Sequence, residues 1–188
     1  MQSGGTLEFR RLLKLAYSFD WDKIRAIFLT SQTHASKSMT ITALLSPERI
    51  FVNATITSKK RLLEFIADRI SEQFQVPQPT LFASLLDRER LGSTGLGKGF
   101  AVPHARLAGI DEAIGMFIKL EDPVNFEAPD KLPVDLVFVI VIPEQATDQH
   151  LQILSALARI FSQADICEAI RDAGSSDDLI KIIDSAEK

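Results

Sequence analysis

The feature that most constrains the fold is an unbroken apolar run at residues 136–143, LVFVIVIP. A strand with one solvent face alternates apolar and polar side chains, whereas this run has no polar position. It therefore predicts a central strand that is covered on both faces. A membrane-spanning helix needs about 20 apolar residues. Because no apolar run in the chain approaches that length, we expect no membrane insertion.

Helical periodicity before and after this run predicts the layers that cover it. Ser58 and Thr80 are the expected N-caps of the two helices before it. Asp148 and Ser175 or Ser176 open helices after it. The predicted helical segments are SKKRLLEFIADRISEQF, LFASLLDRERL, DQHLQILSALARIFSQ, ADICEAIRDA and SSDDLIKIIDSAEK.

Three further segments predict extended structure: IFVNATI, GFAVPHARL and AIGMFIKLE. With ITALLSPERI as a short helix or turn before IFVNATI, the predicted order is helix, strand, two helices, three strands and three helices. Because the helices come in groups and do not alternate with strands, the order favours a mixed sheet with helices on both faces. We expect an α/β fold of the α+β type, a three-layer α/β/α sandwich with a mixed central sheet.

The first 38 residues differ from the rest in charge. Residues 1–38 carry a net charge of +3, whereas residues 39–188 carry −7. An amphipathic segment, LEFRRLLKLAYSFDWDKIRAIFL, is followed there by a polar linker, and Met39 begins a run typical of a natural start. Our hypothesis is that residues 1–38 are an extension, which could form a helix, or the product of a start codon assigned too far upstream, and that residues 39–188 form the domain. A docking helix and a membrane-surface helix are the alternatives.

Composition argues against several classes of function. The formal net charge of −4 gives no support to nucleic-acid binding. The single cysteine, Cys167, excludes an internal disulfide and a CxxC metal site, and its apolar flanks favour a packing role. The three histidines, His34, His104 and His150, are too scattered for a zinc site. We therefore expect neither a metal nor a cofactor.

The glycine-rich stretch at residues 92–107, GSTGLGKGFAVPHARL, raises the question of a phosphate site. Its start fits the P-loop pattern G-x-x-x-x-G-K, but Gly99 stands where magnesium binding needs Ser or Thr. A P-loop also follows a strand and opens a helix, whereas this stretch follows a predicted helix and leads into extended chain. The G-x-G-x-G spacing does not fit a dinucleotide site either. These departures argue against a nucleotide.

The same residues suit another kind of anion site. Four glycines among eight residues, interleaved with Ser93 and Thr94, exceed what one turn with positive φ requires. Small residues let another molecule approach the backbone, and free amides in such turns bind anions. Pro103 fixes the chain direction at His104. A histidine taken alone is more often a buried structural residue, but its place after this loop favours a reactive role.

The stretch RERLGSTGLGKGFAVPHARL resembles the active-site signature of the type-2 EIIA domains of the bacterial phosphotransferase system. That family includes the fructose/mannitol class and the nitrogen-regulatory IIA proteins. Arg88, the GSTG at 92–95 and the pair Pro103 and His104 occur in order. The segment IPEQATDQHLQILSALARIF also resembles the family, where a second histidine, here His150, opens a helix. The resemblance runs from Met39 to the C-terminus.

The resemblance implies a role for each of these residues. His104 is the phosphorylated nucleophile, which accepts the phosphoryl group on Nε2 from the phosphohistidine of HPr or of its nitrogen-branch counterpart NPr. His150 supports it, and Arg88 stabilises the charge of the phosphoryl group. A solvated helix end and an exposed helix residue are the alternative readings of Arg88 and His150. The residues expected to bind the phosphoryl oxygens are Gly92, Ser93, Thr94 and Gly95.

The chemistry is reasonable in itself, since neutral imidazole is a good nucleophile near neutral pH. Phosphoryl transfer needs in-line positioning and compensation of charge, and it needs little covalent help. We expect a shallow pocket with an apolar rim, in which Lys98 and Arg106 attract the donor. Residues 91–110 contain no Asp or Glu that would repel a phosphoryl group. The expected rim residues are Phe100, Val102 and Leu107.

A single EIIA domain with GSTGLG and FEAPDKLPVDLVF most resembles the nitrogen-regulatory branch. The resemblance implies that the phosphorylation state is a signal and that the unphosphorylated form binds regulatory partners, including potassium-transport and sensor-kinase systems. It also implies the bacterial cytoplasm. Two alternatives stay open. One is a sugar-transport EIIA that passes phosphate to a fructose/mannitol-type EIIB, and the other is a module that binds an anion or a protein without moving phosphate.

Overall fold

The computed structural model places the apolar run in a central strand, β6, Val134–Pro143. The structure describes residues 40–145 and 148–187, without the side chains of residues 148–151, so the hypothesis for residues 1–38 lies outside the described residues. Every side chain from Leu136 to Ile142 is at most 1% exposed. The prediction of a doubly covered strand is therefore confirmed.

Within the described residues the sheet is mixed and has six strands. β6 pairs antiparallel with β5 on one side and parallel with β3 and then β4 on the other. β1 runs parallel to β5 at one edge, and β2 runs antiparallel to β3 at the other. The remaining strands are β1 Ile50–Ala54, β2 Gly95–Gly97, β3 Phe100–Ala101, β4 His104–Leu107 and β5 Ile114–Val124.

The helices of the described ranges cover both faces of this sheet. Two short 3₁₀ turns, Thr42–Leu44 and Pro47–Arg49, lead into β1. No helix in these ranges is both long and apolar enough to cross a membrane. The helices are α1 Lys59–Phe74, α2 Gln78–Arg90, α3 Asp148–Phe161, α4 Ala164–Asp172 and α5 Ser176–Glu187.

Two hydrophobic cores lie on opposite faces of β6, because successive side chains of a strand point to opposite sides. Val137, Val139 and Val141 join the core beneath α1 and α2. The residues of β6 that alternate with these valines join the core beneath α3, α4 and α5. That core also contains Cys167, which is 2% exposed. The predicted three-layer α/β/α sandwich is thereby confirmed, as is the packing role of Cys167. These alternate residues are Leu136, Phe138, Ile140 and Ile142.

Two local predictions were wrong. Between α2 and α3 the described residues form five strands, where the sequence predicted three. Segment GFAVPHARL divides into β3 and β4, and the glycine stretch adds β2, which pairs through its backbone and carries no side-chain signal. Helix α2 starts at Gln78 with Pro77 as N-cap, two residues before Thr80. A proline is tolerated in the first turn, where its missing N–H has no helical partner.

Candidate functional site

His104 is the first residue of β4, where it lies opposite Ile140 of β6. It is only 5% exposed. Pro103 separates β4 from β3, and its carbonyl accepts a hydrogen bond from the Ile140 N–H at 3.1 Å. The backbone at the histidine is thus anchored to the most deeply buried strand, so its imidazole starts from a rigid position.

Both ring nitrogens of His104 have partners that define their roles. Nδ1 lies 2.8 Å from the carbonyl oxygen of Val102. The Nε–H of Arg88 donates to Nε2 at 2.9 Å. A carbonyl only accepts and a guanidinium only donates, so the two contacts assign the proton to Nδ1 and leave the lone pair on Nε2. The arrangement fits a neutral imidazole whose nucleophilic atom is Nε2.

Arg88 connects three parts of the site. It belongs to the last turn of α2, and its Nη1 donates to the carbonyl of Gly92 at 2.9 Å. The same planar guanidinium therefore bridges the start of the glycine stretch and the ring of His104. The structure brings Arg88 and His104 together, as the sequence predicted, although they are 16 residues apart. A cation in this place can compensate the charge of a group bound to Nε2.

The first part of the glycine stretch is tied down by its own polar groups. The Ser93 hydroxyl donates to the carbonyl of Phe126 at 2.5 Å and accepts from the Gly95 N–H at 3.1 Å. The Gly92 N–H donates to the carbonyl of Glu89 at 3.2 Å. A Cβ on Gly95 would lie 2.8 Å from that of Ala128, so only glycine fits this close approach. These donors face protein acceptors, and their predicted role with phosphoryl oxygens stays a prediction.

Thr94 is held by a buried carboxylate that the sequence reading missed. Glu89 is 7% exposed, and its Oε2 accepts from the Thr94 N–H at 2.9 Å and from the Thr94 hydroxyl at 2.6 Å. Its Oε1 lies 3.2 Å from Nζ of Lys59. In the sequence, a solvated helix end is only the alternative reading of Arg88, and no role is predicted for Glu89. The signal was the four-residue spacing of Leu81, Leu85 and Glu89, which places Glu89 on the buried face of α2.

Lys59 joins this carboxylate to a second one at the surface. Its Nζ lies 2.6 Å from Oε2 of Glu127, which is exposed. Burial lowers the pKa of Lys59, but the hydrogen bonds to Glu127 and Glu89 outweigh it, so the pKa is raised overall. The same contacts lower the pKa of Glu127. Glu89 is therefore paired with the charge of Lys59. It lies just before residues 91–110, which contain no Asp or Glu, and because it is paired it adds no isolated negative charge to the site.

The far end of the glycine stretch is fixed by an ion pair. Arg171 of α4 contacts Asp135 through two hydrogen bonds, Nε to Oδ2 at 2.6 Å and Nη2 to Oδ1 at 2.8 Å. Its Nη2 also donates to the carbonyl of Lys98 at 3.0 Å. Gly99 has φ +80°, and a Cβ there would lie 2.5 Å from both Arg171 Nη2 and Asp135 Oδ1. Glycine is needed at this turn for both its conformation and its lack of a side chain.

The predicted apolar rim is wrong. Phe100, Val102 and Leu107 are at most 4% exposed and belong to the two cores. Phe100 and Val102 pack into the core beneath α3, α4 and α5, and Leu107 packs into the core beneath α1 and α2. The exposed apolar residue next to the site is Leu91, which follows α2 and is 86% exposed.

The other predicted site residues have different standings. Arg106 and Lys98 are exposed, and their side chains donate to the carbonyls of Glu144 and Ser162. The backbone of His150 lies in α3, but its side chain lies outside the described residues, so its supporting role stays a prediction. In the part of the chain that the structure describes, no group of three or more His, Cys, Asp and Glu is placed to hold a metal ion.

The chain is similar to known proteins of one family. Residues 43–186 match the family described as the phosphoenolpyruvate-dependent sugar phosphotransferase system, EIIA 2. The nitrogen regulatory protein of Pseudomonas aeruginosa is 41% identical over 141 residues, which cover 74% of this chain and 92% of that protein. The crystal structure of nitrogen regulatory protein IIA-Ntr from Neisseria meningitidis has a TM-score of 0.73 at 40% identity, and covers 76% of this chain and 98% of that one.

Sugar-transport components are also related to the chain. The fructose-specific EIIABC component of Bacillus subtilis is 30% identical over 151 residues, 80% of this chain but 24% of that longer protein. The family match spans most of the sequence, and both nitrogen regulatory relatives align over nearly their whole length. The chain therefore belongs to the EIIA type-2 family of the phosphoenolpyruvate-dependent sugar phosphotransferase system.

Proposed function

We propose that this chain is a phosphocarrier and regulatory EIIA domain whose His104 accepts a phosphoryl group on Nε2 from phosphorylated HPr or NPr. The observation that carries the proposal is the pair of contacts on the imidazole. Nδ1 donates to the Val102 carbonyl, so Nε2 keeps its lone pair, and Arg88 lies beside that atom. The proposal places the reaction in the cytoplasm, where such carriers act.

The transfer is balanced in bonds and protons. The Nε2 lone pair of His104 forms a new N–P bond as the N–P bond of the donor's phosphohistidine breaks, and that bonding pair returns to the donor imidazole. Nδ1–H of His104 is retained throughout, so no general base is required. The protein's contribution is to orient the ring for in-line attack and to compensate charge on the equatorial oxygens.

Arg88 has to change partner during this reaction. In the unphosphorylated state its Nε–H occupies the Nε2 lone pair. The guanidinium must leave that lone pair when the donor arrives, and a phosphoryl oxygen is then its nearest strong acceptor. Charge-assisted hydrogen bonds to phosphate are stronger than those to a neutral ring nitrogen. The contact from Nη1 to the carbonyl of Gly92 can keep the side chain near the site while Nε changes partner.

The phosphorylation state is the signal in this proposal, and regulatory proteins of nitrogen and potassium metabolism are its readers. The similarity to nitrogen regulatory proteins of Pseudomonas aeruginosa and Neisseria meningitidis supports this branch. The second candidate, transfer to a fructose/mannitol-type EIIB, is favoured by the similarity to the Bacillus subtilis EIIABC component. A binding module that moves no phosphate is the third.

One assay separates these functions. The chain is incubated with labelled phosphoenolpyruvate, enzyme I and HPr or NPr, and acid-labile phosphate is measured on the wild type and on His104→Ala. We expect label on the wild type alone. A wild type that takes up no label would favour the binding module that moves no phosphate. Rapid transfer of the label to a purified EIIB would favour the sugar branch. His150→Ala is expected to keep some acceptance while slowing transfer.

A further inference from the structure

The end of α2 reaches both ring nitrogens of His104 through two consecutive residues. Arg88 contacts Nε2 directly. Glu89 is connected to Nδ1 through the backbone: its carboxylate accepts from Thr94 N–H, the Thr94 carbonyl accepts from Val102 N–H at 3.0 Å, and the Val102 carbonyl accepts from Nδ1. The proton on Nδ1, which determines where the ring lone pair lies, thus depends on the placement of the Val102 peptide.

The stability of the fold alone does not explain why a carboxylate is buried at position 89. A buried carboxylate loses the free energy of its hydration and must regain it from hydrogen bonds. A protein with an apolar residue in its place is often equally stable. Glu89 regains them from the Thr94 N–H, the Thr94 hydroxyl and Lys59 Nζ. Two of these three donors belong to the residue that pairs with Val102. The carboxylate is therefore placed where it fixes the backbone segment that supports the imidazole.

We propose that Glu89 is a positioning residue for phosphoryl acceptance, which holds Thr94 and, through the Val102 carbonyl, keeps His104 in the tautomer with its lone pair on Nε2. The inference rests on the proposed function, in which Nε2 of His104 is the acceptor. Free neutral histidine favours the opposite tautomer, with the proton on Nε2, and in a protein the hydrogen bond at one nitrogen decides the state of the other. A loosened Val102 carbonyl would therefore deprive part of the population of its nucleophilic atom.

The variant that tests this is Glu89→Gln in the full chain. Glutamine keeps the length and one carbonyl oxygen, which can still accept from the Thr94 N–H. Both Thr94 donors bind Oε2, so the glutamine oxygen can keep them only if its NH₂ group faces Lys59 Nζ, a donor against a donor. In the flipped amide the NH₂ group faces both Thr94 donors instead, and in neither orientation does the neutral side chain compensate Lys59. Glu72→Gln is the matched control, since Glu72 makes an exposed ion pair with Arg69 on α1.

Two measurements are made on each variant. The first is the ¹⁵N spectrum of the His104 ring in the unphosphorylated protein, which reports the tautomer without any phosphoryl transfer. The second is the initial rate of phosphorylation against the concentration of phosphorylated carrier. For Glu89→Gln we expect a mixture of tautomers and a maximal rate about tenfold lower at an unchanged half-saturating carrier concentration. Glu72→Gln should match the wild type in both.

The inference is overturned if Glu89→Gln keeps the wild-type tautomer or the wild-type maximal rate. If Glu89→Gln does not fold, Thr94→Val decides, because it removes only the hydroxyl donor to Glu89. It should change the tautomer in the same direction with a rate about threefold lower, and an unchanged ¹⁵N spectrum would reject the inference. A wild type without label on His104 would instead reject the proposed function, and the ¹⁵N spectra would still decide whether Glu89 sets the tautomer.

Discussion

The Nε–H of Arg88 donates a hydrogen bond to Nε2 of His104 over 2.9 Å, at the ring atom that the proposed reaction uses as its nucleophile. The resting site therefore holds its cation directly against the lone pair. This contact orients the ring on one side, as the Val102 carbonyl does on the other. Both restraints place the imidazole before a donor arrives, which reduces the entropy lost in reaching an in-line geometry.

Replacing Arg88 with lysine should slow phosphoryl transfer while leaving the fold intact. An ammonium keeps the charge, but it lacks the planar fork with which arginine bridges Gly92 and His104. We expect the maximal rate of phosphorylation to fall by about 10- to 100-fold. Rates are measured with phosphorylated carrier in excess, and circular dichroism checks the fold.

Arg90→Lys is the control for this experiment. Arg90 lies two residues further along the same helix end, and its side chain is exposed in an ion pair with Asp87. It should react as the wild type does. If Arg88→Lys also reacted at the wild-type rate, charge alone would suffice and the bridging geometry would have no role.

Gly99→Ala should destabilise the domain by about 3 kcal/mol, from backbone strain and from a disturbed ion pair. The new Cβ would lie 2.5 Å from Arg171 Nη2 and Asp135 Oδ1. Gly109→Ala is the matched variant, because Gly109 has a similar φ of +84° with nothing within 4 Å of its added Cβ. Gly109→Ala should lower the free energy of unfolding by about 1 kcal/mol. Urea unfolding measures both, and equal losses would show that the contact with the ion pair is unimportant.

Lys59 should contribute stability that is lost at high pH. Its pKa is raised in the folded protein because the bonds to Glu127 and Glu89 outweigh its burial. A raised folded pKa stabilises below the unfolded lysine value of about 10.4, and the contribution disappears as the pH rises through the folded value. The free energy of unfolding of the wild type should therefore approach that of Lys59→Met above that pH.

The comparison for this titration is Lys60→Met, which removes an exposed lysine of the same helix turn. The free energy of unfolding of Lys60→Met should differ little from that of the wild type at every pH. A difference between wild type and Lys59→Met that stays constant from about pH 8 to about pH 12 would contradict the assigned shift.

The Cys167 thiol should be inert in the native protein. Burial raises its pKa, and its Sγ–H lies 3.4 Å from the carbonyl of Phe161. Because the thiolate is the reactive form, we expect little reaction with a disulfide reagent at neutral pH and a full equivalent after unfolding in guanidinium. Rapid native labelling would show that the core around α4 opens more readily than its packing suggests.

The sequence predicted the parts of the molecule that follow from local pattern. The apolar run of β6 predicted a doubly covered strand, and the pairing of Pro103 with His104 predicted a fixed histidine. What it missed depends on partners distant in the chain. Glu89 looks like a solvated residue until Lys59, 30 residues earlier, and the folded-back Thr94 are seen to contact it. Phe100, Val102 and Leu107 were expected at a rim because nothing local shows that they pack into the two cores.

The most direct test of the account is the identity of the phosphorylated atom. The chain, labelled with ¹⁵N in histidine, is phosphorylated through enzyme I and a carrier, and the coupling between phosphorus and the ring nitrogens is recorded by NMR. The account predicts one phosphoryl group, bonded to Nε2 of His104, with Nδ1 still protonated. A phosphoryl group on Nδ1, or on another residue, would contradict it.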